Sequence, residues 1–181
     1  YSSSTTVTDF GLWIEKAGVE SITLSSLKKT IGTSDYYILE NALHLAWLSR
    51  ATTYNNAELQ GKTFVIASAT PIDLSGRYFT PINSGYNNSF NLIGIAKNKD
   101  DILTSDLLED ADVENVKITG LTIESNSYAG IYNASMNENS IYSAFINTIS
   151  NSTIRGLDFE NVDILTFNSG AVISGLVGGT S

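Results

Sequence analysis

Val113-Glu-Asn-Val116-Lys-Ile118-Thr-Gly120-Leu121-Thr-Ile123 has a near copy downstream, Ile149-Ser-Asn-Ser152-Thr-Ile154-Arg-Gly156-Leu157-Asp-Phe159. Aligned residues stand 36 positions apart throughout (149 − 113 and 159 − 123). Further on, Ala129-Gly130-Ile131 returns as Ser174-Gly175-Leu176 at an offset of 45, so nine residues are added inside the second unit. A repeat of this length means a unit that cannot bury its apolar face alone and stacks on a neighbour to do so.

The strand candidates are short. Phe10, Leu12 and Ile14 alternate, and Val19–Leu24 reads as a second strand. After Gly61 come Lys62–Ala67, Pro71–Gly76 (a short strand ending in a turn), Phe79–Ile82 and Phe90–Ile95, with turns marked by Gly and Asn. Asn-Gly and Asp-Gly hairpin signals are missing, which favours strands that pass their hydrogen bonds to a parallel neighbour. Tyr37–Arg50 differs: its apolar residues fall on helical spacing and it lacks Gly and Pro. Asp100–Glu114 reads as an acidic loop or a single helical turn. The pattern predicts a mainly β chain, a right-handed parallel β-helix (a β-solenoid). One α-helix, about 39–50, packs on its N-terminal side and covers an open edge. Residues 1–35 are expected to form strands and loops that begin the solenoid and 36–181 the rest, as one domain cut from a longer chain.

Composition narrows the partners. The chain has 181 residues, a formal net charge of −9 and no basic run, so it lacks the positive stripe that nucleic-acid binding needs. An anionic membrane surface would repel it, and no stretch is apolar enough for insertion. Zero cysteine with abundant Ser, Thr and Asn suits an exported bacterial protein.

Four ordered blocks carry a resemblance. They are Ser34–Leu48, Gly61–Ile66, Pro71–Gly76 and Phe79–Ile82, followed by the C-terminal Ser174-Gly175-Leu176-Val177-Gly178-Gly179 and a degenerate Gly130-Ile131-Tyr132-Asn133. Together they resemble large bacterial surface proteins with glycine-leucine-any-glycine (GLUG-type) repeats. The resemblance spans roughly 34–82 and 113–179. It implies a parallel β-helix, an extracellular location on the cell surface or in the secreted fraction, and a role in adhesion or in spacing other modules. Similar segments accompany immunoglobulin A1 metalloproteases as non-catalytic parts. Residues 90–112 depart from the family pattern, which marks them as a candidate ligand-specific insertion.

The chemistry is sparse. His44 is the sole histidine, so a zinc site with two histidines is impossible, and its place between Leu43 and Leu45 in the helix suits a structural role. Asp100, Asp101, Glu109, Asp110, Asp112 and Glu114 are candidate calcium ligands, since clustered carboxylates suit that ion. The run lacks the glycine and spacing of an EF-hand, and a solvated acidic loop is the simpler reading. No other cofactor is expected. No acid pair recurs at equivalent places, as a sugar-cleaving groove would need. Tyr36, Tyr54, Tyr78, Tyr86, Tyr128, Tyr132 and Tyr142 lie in or near polar segments, where an exposed ring stacks on sugars or anchors a protein interface. Sequons begin at Asn87, Asn133 and Asn151 and point to surface loops. The expected function is a non-enzymatic surface module that binds a host or cell-surface protein or glycan, or acts as a spacer, alongside further domains of the same polypeptide. A β-helical polysaccharide lyase or glycoside hydrolase, and a non-catalytic piece of a large surface protease, are the alternatives.

Overall fold

The structure, a computed structural model, describes residues 11–54, 57–84, 89–124, 142–165, 172–173 and 176–180. The chain opens with 3-10 turns at Trp13–Glu15 and Val19–Ser21, then α1 (Leu24–Leu27), β1 (Lys28–Ile31), β2 (Ser34–Leu39) and α2 (Ala42–Thr53). A 3-10 turn at Ala57–Leu59 leads to β3 (Thr63–Ala67), β4 (Ile72–Asp73), β5 (Ile82–Ser84) and β6 (Asn91–Ile95). Next come a 3-10 turn at Lys99–Asp101, α3 (Asp106–Glu109), β7 (Val116–Thr119), β8 (Thr122–Glu124), β9 (Tyr142–Ser143) and β10 (Ile146–Ile149). The last strands are β11 (Ile154–Arg155), β12 (Leu157–Glu160), β13 (Asp163–Leu165), β14 (Val172–Ile173) and β15 (Val177–Thr180).

The strands form one mixed sheet, β1-β2-β3-β6-β11, and four parallel sheets: β15-β10-β5, β12-β7-β4, β13-β8 and β14-β9. Among the described residues, only β1 and β2 pair antiparallel. Gly32 at φ 63° stands between them as the first residue of the two-residue turn. Such a turn needs a left-handed first residue, so the hairpin signal was this glycine rather than an Asn-Gly pair.

The described strands do not form the predicted parallel β-helix. The described residues form a small α/β domain with mixed and parallel sheets and three α-helices, and these sheets do not stack as a β-helix. The pairing offsets show why a constant repeat fails. Thr63 pairs with Asn91 at 28 positions, Ile72 with Ile118 at 46, Leu92 with Ile154 at 62, and Val116 with Leu157 at 41. The 36-residue alignment is therefore not a pairing register: Ile118 lies beside Phe159, not beside Ile154.

Local chemistry explains further differences. Of the predicted strand Phe10–Ile14, Phe10 lies outside the described residues, Leu12 forms an isolated parallel bridge to Tyr78, and Trp13–Glu15 is a 3-10 turn where Trp13 Nε1 donates to Leu74 O at 2.8 Å; Val19–Leu24 holds a 3-10 turn and the start of α1. The helix begins at Ala42, not near 39. Asn41 caps it, its Oδ1 accepting from His44 N at 3.0 Å, while Tyr37, Ile38 and Leu39 belong to β2.

The core has two parts. The larger holds Leu45, Leu48, Phe64, Ile66, Phe79, Leu92, Val116, Ile118 and Phe145. Phe79 stacks on Phe145 (centroids 5.3 Å apart), and Phe145 meets Phe159 edge-on at 5.0 Å. The smaller lies on the other face of the mixed sheet, where Ile31, Ile38, Val65, Ala67 and Ile95 are joined by Ile102 and Leu108. β3 sends Phe64 and Ile66 to one core and Val65 and Ala67 to the other. That is why its sequence is an unbroken apolar run. Where β6 meets β11, Gly94 and Gly156 face each other so closely that a Cβ on either would overlap the other's carbonyl oxygen.

Candidate functional site

One hollow lies between the Val19–Ser21 turn and α2. It is a groove of about 480 Å³ lined by Glu20, Ile22, Trp47, Arg50 and Tyr54 among others. Helical spacing places Trp47, Arg50 and Tyr54 along one stripe. Trp47 is 7% exposed and forms a floor, its ring 6.2 Å from Phe64 in the core, whereas Tyr54 stands 63% exposed at the rim. Arg50 lies between them. Its Nη1 donates to Ile14 O at 3.2 Å and its guanidinium sits 5.2 Å from the Tyr54 ring centroid, so the cation and ring hold one another in place. The groove offers a flat aromatic rim, a fixed cation and one carboxylate. Chemically, this set can offer both stacking and charged hydrogen bonds. No protein-family model matches the chain, and neither a curated protein nor a solved structure matches it.

A second hollow of about 240 Å³ lies beneath the α3 segment, lined by Ile93, Gly94, Leu108, Asp110, Arg155 and neighbours. Arg155 Nη2 donates to Leu108 O across it and ties the segment to β11.

The acidic candidates are spread along this segment. Asp100 and Asp101 lie in the Lys99–Asp101 turn, Glu109 ends α3, Asp110 follows it, and Asp112 and Glu114 lead to β7; all six are exposed. Asp110 Oδ1 accepts from Asp112 N at 2.9 Å, a local turn contact. Among the described residues no three acidic or histidine side chains gather as a metal site. Among them too, no helix is long and apolar enough to cross a membrane.

His44 is half-buried, and burial lowers its pKa below the usual histidine value. Its Nδ1 accepts from Glu40 N at 3.0 Å, a bond that requires the unprotonated nitrogen. Of the tyrosines, Tyr36 packs on the smaller core, Tyr78 is partly buried and Tyr54 is exposed. Tyr86, Tyr128 and Tyr132, the sequons at Asn87 and Asn133, and Gly130–Asn133 lie outside the described residues, as does the side chain of Tyr142. Asn151 is exposed with a positive φ of 49°. Tyr54 is legible in the sequence as an aromatic near a polar segment, but the groove is not. Trp47 and Arg50 read as parts of a helix, and the Val19–Ser21 wall was assigned to a strand.

Proposed function

We propose that this chain is a non-enzymatic binding module of an exported bacterial surface protein, of the GLUG-repeat kind, and that the groove along α2 meets its ligand. The observation that carries the reading is the exposed Tyr54 ring, braced by Arg50 above the Trp47 floor. Exposed aromatics beside charged hydrogen-bonding groups suit sugar rings and protein side chains alike. A glycosidase reading is less well supported, because two carboxylates are needed and the described lining holds one, Glu20.

The test is a glycan and host-matrix-protein array with the purified chain, run with calcium and with chelator, followed by titration of each hit. Tyr54→Ala and Arg50→Gln are expected to weaken a true hit by about tenfold or more, the loss typical of interface aromatic and arginine anchors. Calcium independence is expected, given the scattered carboxylates. Hits that both variants bind as well as the parent chain would remove the groove from the reading, and a blank array would leave the spacer role.

A further inference from the structure

β11, β12 and β13 each have a single strand partner among the described residues: β6, β7 and β8. They lie outermost in their sheets, and among the described residues no strand stands beside their other edges. Their inward side chains are also incompletely covered. Ile154, Leu157, Phe159 and Ile164 are only partly buried, whereas their register partners Leu92, Val116, Ile118 and Ile123 are fully buried. Beside them Leu165 is 46% and Val162 39% exposed. The opposite margin is managed differently. There the antiparallel β1 ends the mixed sheet with exposed Lys28 paired to Asp35 at 2.7 Å, and α2 packs against β5. An edge lysine is a common guard against further pairing.

Charge indicates what fits the open edge. Asp158, Glu160 and Asp163 are exposed and alternate with the apolar residues. β7 already meets this pattern from one side: Lys117 stands in register with Asp158, and its Nζ lies 3.1 Å from Glu160 Oε1. Two copies of this chain placed edge to edge would oppose acid to acid, which disfavours self-association. We propose that the β11–β13 edge is a docking surface for an extended segment of a partner protein in which apolar and basic residues alternate. The segment adds as a strand beside β12 and β13, covers Phe159 and Ile164, and sets its lysines or arginines against Asp158, Glu160 and Asp163. This is independent of the groove on α2.

The experiment uses the intact chain and a synthetic peptide of the sequence Val116–Ile123 as the basic–apolar probe, with a control peptide carrying Glu in place of the lysine. Amide hydrogen exchange is followed over β12 and β13 while binding is titrated by fluorescence anisotropy. Saturable binding of the lysine peptide, with new protection in Leu157–Glu160 and Asp163–Leu165, is expected. An Asp158→Asn/Glu160→Gln chain, altered only at exposed positions, should bind about threefold more weakly, as expected when one exposed lysine loses its carboxylate partner. Absence of protection at those amides would overturn the proposal. So would equal binding of the glutamate peptide, or protection that grows with protein concentration alone and so assigns the edge to a second copy.

Discussion

Gly94 and Gly156 meet at a contact that leaves no room for a Cβ on either. A Cβ on Gly94 would also come within 2.6 Å of Val116 Cγ1 and 2.7 Å of Leu157 Cδ2, so β6 cannot settle beside β11 with any larger residue there. Gly94→Ala should cost about 3 kcal/mol, the upper range for overpacking, measured by urea unfolding; a loss below about 0.5 kcal/mol would refute the contact. Gly156→Ala carries an added backbone penalty because its φ is 74°. Asn41→Ala removes the α2 cap and should cost about 1 kcal/mol. His44 contributes pH dependence in the histidine range. Burial lowers its folded pKa, so between the folded and unfolded values the unfolded chain binds more protons. The histidine contribution is therefore complete above the unfolded value, about 6.5, and is lost as pH falls through the folded one. His44→Gln should flatten that part of the stability–pH curve, and an unchanged slope would exclude this histidine as its source.

At the scale of elements, the apolar runs of β3 and β6 were legible because strand alternation and burial on two faces leave a direct mark on sequence. Element boundaries were less so. Tyr37–Leu39 fits helical spacing as well as strand, and the decision lies in parallel pairing of Tyr37 with Phe64 and Leu39 with Ile66, which one segment read alone does not contain. The repeat misled for a related reason. Gly120 and Gly156 are both left-handed turn residues, at φ 69° and 74°, but Gly120 joins β7 to β8 and Gly156 joins β11 to β12. Their shared motif records the same turn chemistry at two different corners, and the residue 41 positions after Gly120 is Asn161, also left-handed at φ 55°. The acidic segment was read by its charges, yet Ile102 and Leu108 hold it down over the smaller core. Leu108→Ala should cost about 2–5 kcal/mol and raise amide exchange in Lys99–Val113 ahead of β3 and β6. Simultaneous release of the whole domain would show that the segment has no separate stability.

For the whole molecule, Phe79, Phe145 and Phe159 run from β12 at the open edge back to the chain before β5, linking strands far apart in sequence. Phe145→Ala should cost about 3–5 kcal/mol and broaden thermal unfolding; a sharp, unshifted transition would refute that linkage. The groove was illegible for a whole-molecule reason, since its walls come from the Val19–Ser21 turn and α2 and only tertiary packing sets them face to face. The excursion between β6 and β7 has one more consequence. Ala96 N donates to Glu114 O at 2.9 Å, so the segment leaves and re-enters the fold at nearly one point. Loop closure depends weakly on length once the ends are fixed, so this site accepts foreign sequence as a cassette. A grafted epitope that keeps two apolar anchors in place of Ile102 and Leu108 would be displayed on an otherwise unaltered scaffold.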